Sequence, residues 1–324
     1  MRGRAALWQV LVAASVYWAA GMAGAPAWNS WMARVIPEQM RTPYFAQRNR
    51  LGQFAAFGAF VAGGLVLQFG EARQATLAAF AVLFGLAGAS RLFSTACMAA
   101  CRELSPASVE EPPDPPAGLP ARLATAVGGM AAKPSGLLVA SLCMFMFGAH
   151  VAGPYFTPYM LREMGFSYHT FMLVVATAFL AKALALPTVG RLASRMGSVR
   201  LLWFACLAII PLALLWLPST AVGYLLCVQV IAGGCWAAYD LAVALLFFDV
   251  VDDRERTGVV TIYNLGLAVA TVAGAGCGGL VLRALGEDRR AYAAVFVVSC
   301  LMRLAALPLL QRLRSRTAGL PSQR

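Results

Sequence analysis

The chain has 324 residues, of which 60% are hydrophobic and 12% charged, and its mean hydropathy is +0.71. A soluble globular domain of this length carries far more charge on its surface, so that class is excluded. The net charge of +12 comes from 26 basic and 14 acidic residues. The basic ones are spread along the chain rather than gathered in one patch, which speaks against a nucleic-acid partner.

Nine segments have the roughly 20 apolar residues that a helix needs to cross a ~30 Å hydrocarbon layer. They lie at about 7–28, 51–69, 75–98, 136–158, 169–189, 200–217, 221–247, 258–283 and 291–311. Open sheets would leave backbone groups unpaired in lipid, so the chain is predicted to be all-α, a polytopic bundle of about nine transmembrane helices in a lipid bilayer. Met1-Arg-Gly-Arg and the apolar run ending at Ala27 also have the form of a signal peptide. Between the third and fourth spans, residues 102–134 hold Pro106, Glu110, Glu111, Pro112, Pro113, Asp114, Pro115, Pro116 and Pro120. Such a stretch acts as a semi-rigid linker.

Basic residues alternate from one side to the other. The segments after the odd-numbered spans hold Arg34, Arg41, Arg48, Arg50, Arg102, Arg122, Lys133, Arg191, Arg195, Arg200, Arg254, Arg256, Arg312, Arg314, Arg316 and Arg324, which is 16. The opposite side holds Arg2, Arg4, Arg73, Arg162, Arg283, Arg289 and Arg290, which is 7. The richer side is cytoplasmic by the positive-inside rule, which sets the amino terminus outside. Arg2 and Arg4 are the exception to this pattern.

Two stretches echo each other at a constant offset of 215 residues. Val35-Ile36 recurs as Val250-Val251, Arg41-Thr42 as Arg256-Thr257, Asn49 as Asn264, and Gly63-Gly64-Leu65-Val66-Leu67 as Gly278-Gly279-Leu280-Val281-Leu282. Further on, at an offset of 212 rather than 215, Phe84 stands seven residues before Arg91, as Phe296 stands seven before Arg303. A gapless series at one period marks an internal repeat. It makes the first segment the counterpart of an internal span rather than a signal peptide. Segments four to six have no partner upstream, so roughly 80–100 further residues with three more spans are expected before Met1 in the parent reading frame.

Cys143, Cys206, Cys227, Cys235, Cys277 and Cys300 sit singly in spans, as small apolar fillers do. Cys97 and Cys101 stand one turn apart with no His or carboxylate beside them, so no metal and no cofactor is expected. His150 and His169 are the chain's two histidines, too few for a catalytic constellation with no partner acid nearby, and no Gly-rich phosphate loop occurs. The chain is therefore not predicted to be an enzyme or an ATP-driven pump.

Gly190-Arg191-Leu192-Ala193-Ser194-Arg195-Met196-Gly197, expected in a cytoplasmic loop, resembles the G-x-L-A-D-R-x-G loop of the major facilitator superfamily. The fourth helix and following loop of bacterial members are similar to Pro26-Ala-Trp28-Asn-Ser-Trp31-Met with Pro37 and Arg41 behind it. The resemblance implies two six-helix units. Residues 1–101 would be a remnant of the first (helices four to six), 102–134 the linker between halves, 135–312 the complete second unit, and 313–324 a tail. It also implies a multi-pass protein of the bacterial inner membrane that moves a small solute by alternating access, with a proton as candidate coupling ion. The competing reading is a non-transporting membrane protein or an inactive remnant. Ser194 replaces the acidic residue of the loop and Ser198 the basic one after Gly197, which weakens a switching role here. The antiporter motif G-x-x-x-G-P-x-x-G-G is met only by its small residues, Ala55, Ala59, Gly63 and Ala270, Gly274, Gly278, which read as helix packing.

Ionisable residues inside spans are the functional candidates, since lipid penalises them. Asp240, Lys182 and His150 lie on helices that the resemblance places along the pathway, and Tyr155, Tyr159, Trp236, Tyr239 and Asn264 would surround a solute. Arg91 and Arg303 fall on helices that the resemblance places outside it, and read as snorkelling or loop-anchoring residues. Lys182 and Asp240 come roughly level once tilt is allowed, so they are expected to act together. Single reporter fusions check the orientation: residues 191–200 and 102–134 should report from the cytoplasm and 162–169 and 287–290 from outside. An outward signal from the linker reverses it.

Overall fold

The computed structural model describes residues 7–100, 128–130, 133–252, 255–286 and 288–317. Most of the expected linker, the first six residues and the end of the tail lie outside the described residues. Among the described residues every regular element is helical, and nine long helices follow one another: α1 Leu7–Val35, α2 Glu38–Ala72, α3 Thr76–Ala99, α4 Pro134–Ala152, α5 Tyr168–Met196, α6 Ser198–Ile209, α7 Val222–Asp249, α8 Arg256–Leu285 and α9 Arg289–Thr317. Each expected span falls on one of them. Eight, counted with their extensions, are long and apolar enough to cross a membrane; in α1 the apolar stretch so defined is shorter, Val12–Gly21.

Proline shapes two of the extensions. α4 continues through a 3-10 turn at Gly153–Tyr155, a short turn at Phe156–Pro158 and a π turn at Tyr159–Glu163. α6 continues as a 3-10 helix at Ile210–Trp216. Pro154, Pro158 and Pro211 each remove a backbone donor and crowd the preceding turn, so the regular α ladder changes pitch there.

Two expected loops are helical instead. α2 starts at Glu38, so Arg41, Arg48 and Arg50 stand on its first turns rather than in a loop. Its 35 residues span about 52 Å, which carries the charged turns well beyond a ~30 Å apolar layer. The segment Gly190–Met196 forms the last turns of α5, and the reversal is made by Gly197 alone, at φ 83° and ψ 160°. A positive φ of this kind suits glycine because a Cβ would strain it.

Packing follows from where backbones can approach. α4 lies against α8 and α9, α5 against α2 and α7, and α6 against α7 and α9. Lipid tails are as apolar as leucine, so helices associate through close van der Waals fit rather than by hiding apolar surface. On α8, a Cβ at Gly266 would stand 2.7 Å from Cys143 Sγ, at Gly274 2.5 Å from Phe147 O, and at Gly278 2.2 Å from Val151 O. Partners advance together along both chains, so α4 and α8 run parallel and touch backbone to backbone. Ala270, in the same ladder, is buried.

The equivalent ladder on α2 is used differently. Ala55 and Ala59 are exposed, and a Cβ at Gly63 would meet nothing nearer than Leu83 at 4.0 Å. α2 instead turns Gly64 toward Met172 and Ala46 toward Gly190, at 3.2 and 3.5 Å from the glycines' Cβ positions. Gly64 lies 18 residues after Ala46, and Met172 lies 18 before Gly190. α2 and α5 are therefore antiparallel neighbours over about five turns.

The 215-residue offset is visible in the elements themselves: α1 begins at Leu7 and α7 at Val222. The echoed pair Arg41 and Arg256 converge on one ring. Their guanidinium carbons lie 5.0 and 4.9 Å from the centroid of Phe248, against which Phe45 also packs at 5.4 Å. Arg256 is buried, and it donates to Phe247 O (3.0 Å) and Val251 O (3.3 Å).

Glycine contacts on α8 are open to a direct check. Gly278→Leu should cost about 1–3 kcal/mol or more through overpacking, whereas Gly276→Leu, whose Cβ meets nothing within 4 Å, should be tolerated. Thermal unfolding in detergent, followed by size-exclusion chromatography, compares the two. Equal loss at both positions would mean that α4 and α8 are not in backbone contact.

Candidate functional site

α7 approaches α5 most closely at Gly233. A Cβ there would lie 2.6 Å from Ala178 O and 2.9 Å from Lys182 N. The two helices run parallel, joined at one end by Gln229 Nε2 donating to Val174 O (3.2 Å), while past the far end of α5 the Ser198 hydroxyl of α6 donates to Asp249 of α7. The close contact brings the base of Lys182 against α7, and its side chain reaches Asp240, seven residues beyond Gly233, in an ion pair between Nζ and Oδ2. The Lys182 side chain is 17% exposed and that of Asp240 38%. Either charge alone near a bilayer centre costs about 2.5–3.5 kcal/mol on insertion scales, and pairing relieves it.

Around this pair the aromatics are ordered. Tyr239 stacks on Phe145 of α4 with centroids 5.4 Å apart and meets Trp236 edge-on at 5.4 Å. Its hydroxyl is buried and has no hydrogen-bond partner.

A cavity of about 380 Å³ opens between α4, α5, α6, α7 and α9. Its wall includes Lys182, Gln229, Trp236, Phe179, Trp216 and Arg303. Phe179 is itself backed by Phe60 of α2, stacked at 4.9 Å. Lys182 stands 14 residues after Tyr168 and Arg303 stands 14 after Arg289, so each is about 21 Å along a helix of 29 residues. The cavity's polar groups thus sit near mid-length of their helices.

Arg303 is a correction to the sequence reading. It is 3% exposed and faces the interior, not the bundle's edge. The cause is Gly148: a Cβ there would lie 2.7 Å from Arg303 N, so α9 rests directly on α4, and Ser299 Oγ donates to Gly148 O (2.6 Å). From that anchor the guanidinium reaches across to donate NH1 to Ile209 O (3.0 Å), at the junction of α6 with its 3-10 extension. Its Nε is buried without a partner. Arg91, the repeat counterpart, is exposed and donates to Tyr17 on α1 (2.7 Å).

Of the eight pathway candidates, Lys182 and Trp236 line the cavity, and Asp240 and Tyr239 adjoin them. His150 lies on the seam of α4 and α8, with Nδ1 donating to Met146 O (2.8 Å) and Nε2 3.5 Å from Thr271 Oγ1. Tyr155 donates to Ala275 O (2.5 Å) on the same seam. Tyr159 is buried among Tyr292 and Phe296, and Asn264 holds a buried amide nitrogen without a partner. In the Gly190–Gly197 segment, Ala193 is buried while Arg191, Leu192 and Arg195 are exposed, and Ser194 donates back to Gly190 O (3.1 Å). The sequence reading passed over Gln229, Phe179, Trp216 and Arg303 as wall residues. Gln229, an amide inside a span, was the one with a readable signal. Among the described residues no group of three His, Cys, Asp or Glu could hold a metal ion.

Eight helices long and apolar enough to cross a membrane define a multi-pass membrane protein. The sequence model of the Major Facilitator Superfamily matches residues 138–323, more than half of the chain. The chain belongs to the Major Facilitator Superfamily, a family of transporters rather than enzymes. No curated protein matches it.

Tyr239 offers a check on the geometry of the site. A buried hydroxyl without a partner is costly, so Tyr239→Phe should leave stability unchanged or raise it by about 1 kcal/mol. A thermal melt of the purified protein reads this. A loss of more than about 1 kcal/mol would show that the hydroxyl is hydrogen-bonded after all.

Proposed function

We propose that the protein is a secondary active transporter that moves a small solute across a bacterial inner membrane by alternating access, with a proton as the coupling ion. The observation that carries this reading is the Lys182–Asp240 ion pair at the wall of a mid-depth cavity. When Asp240 takes up a proton, its carboxylate becomes a neutral acid and its attraction to Lys182 is lost. Lys182 then stands as an uncompensated cation in the cavity wall, and release of the proton restores the pair. Binding of solute and proton are linked through the same two side chains. In this reading residues 1–101 and 135–312 are the two units that move, with 102–134 between them, and no cofactor is needed.

The rival is a static bridge that only fastens α5 to α7. The backbone contact at Gly233 and the Gln229 hydrogen bond already fasten those helices, which favours coupling. In proteoliposomes, Asp240→Asn should abolish accumulation driven by a proton gradient while sparing solute exchange. Lys182→Ala should shift the pH profile of uptake. If both variants transport normally per folded molecule, the pair is structural.

A further inference from the structure

The two cations in the cavity wall are not matched alike. Lys182 is matched by Asp240, but among the described residues no carboxylate lies within ion-pair distance of Arg303. Arg303 is 97% buried, lines the cavity, gives NH1 to a backbone carbonyl and keeps Nε without a partner. A guanidinium held this way in a low-dielectric interior is costly unless an anion joins it. It cannot shed its proton to escape the cost, since arginine stays charged in proteins. The rest of the wall is largely apolar and aromatic, with Trp216, Phe156, Phe179, Met160 and Trp236, and adds the neutral polar side chains of Gln229 and Thr157.

We propose that this cavity binds a small organic anion, its carboxylate on Arg303 with Lys182 alongside and its apolar body against Trp216, Phe179 and Trp236. Binding supplies a negative charge to Arg303, which among the described residues has no carboxylate beside it. Arginine's planar fork suits a carboxylate through two parallel hydrogen bonds. Size agrees: an apolar cavity of roughly 150 Å³ takes a benzene ring, and this one, at about 380 Å³, leaves room for a ring and its carboxylate. That the anion is the transported solute rests on the transport reading above; that it binds does not.

Matched carboxylate and amide pairs test the charge requirement on the unaltered full chain: acetate with acetamide, benzoate with benzamide, 2-naphthoate with 2-naphthamide. Quenching of tryptophan fluorescence and thermal protection in detergent are the readouts. Benzoate or 2-naphthoate should bind at least about tenfold more tightly than its amide, the scale of a charge-assisted hydrogen bond, and acetate should bind weakly. Arg303→Gln should remove the preference for the carboxylate and Arg303→Lys should keep part of it. Amides that bind as well as carboxylates, or no saturable binding of any carboxylate, overturn the proposal. So does an Arg303→Gln variant that elutes like the parent and keeps the preference. If Arg303→Gln does not fold, the comparison of pairs on the unaltered chain and Arg303→Lys decide. Carboxylate that binds but is never accumulated in proteoliposomes leaves the anion site standing and removes the transport reading. Proton-driven uptake of a neutral solute with no carboxylate binding does the reverse.

Discussion

Helices in a membrane gain little from hiding apolar side chains against one another, so this bundle depends on how closely its backbones can meet. Three glycines show what the close contacts achieve. Gly233 brings α7 onto the backbone of α5 at Lys182, Gly148 brings α9 onto α4 at Arg303, and Gly274 brings α8 onto α4 at His150. In each case the residue beside the contact is an ionisable side chain near mid-depth. The same feature that holds the helices together therefore fixes the root of the polar group. Only the outer part of the side chain is left to find a partner. Lys182 finds Asp240, and His150 finds a carbonyl of its own helix with Thr271 nearby. Arg303 finds the carbonyl that α6 presents where its helix tightens after Ile209.

Apolar segment length is a one-dimensional property, and for that reason the nine helices were legible in the sequence, eight of them long and apolar enough to cross a membrane. The internal repeat was legible too, and it reappears as α1 and α7 starting one period apart. What stops a helix was harder to read. Between Glu38 and Arg50 no glycine occurs, and Pro43, inside α2, removes one backbone hydrogen bond without ending the helix. The polar stretch read as a loop is therefore the exposed start of α2. Likewise the motif around Gly190 contains one residue that reverses the chain, Gly197, and everything before it stays in α5.

Within the site, the pairing of Lys182 and Asp240 could be anticipated because depth along a helix is countable from the sequence. Which side of a helix faces inward is not countable when the neighbours are unknown. The uniformly apolar faces of α7 and α9 gave no periodic stripe to orient them. Arg303 was misread because the resemblance placed its helix outside the pathway and no stripe on the helix spoke against it. Its repeat counterpart pointed the same wrong way, since Arg91 is exposed and pairs with Tyr17. The two arginines share a position in the repeat but not an environment: α9 rests on α4 and α6, while α3 has α2 as its main neighbour among the described residues.

This difference in neighbours also separates rigid contacts from yielding ones. Within the α4–α9 set, Gly233, Gly274 and Gly278 face backbone atoms of the next helix. Such contacts cannot slide without lifting one helix off another. Where α2 meets α5 the contacts are Met172 at Gly64, Ala46 at Gly190 and a stack of Phe60 on Phe179, all made by side chains. Where the start of α2 meets the end of α7 they are two arginines and a phenylalanine on the ring of Phe248. Side-chain contacts of this type can be remade in a second arrangement at small cost, since rotamers change while backbones stay whole. In the transport reading proposed above, rocking of α1–α3 against the remaining helices would be taken up along the contacts of α2 with α5 and α7 and of α1 with α8. Phe179, which belongs to both the yielding seam and the cavity wall, would pass that movement to the space beside Lys182 and Arg303.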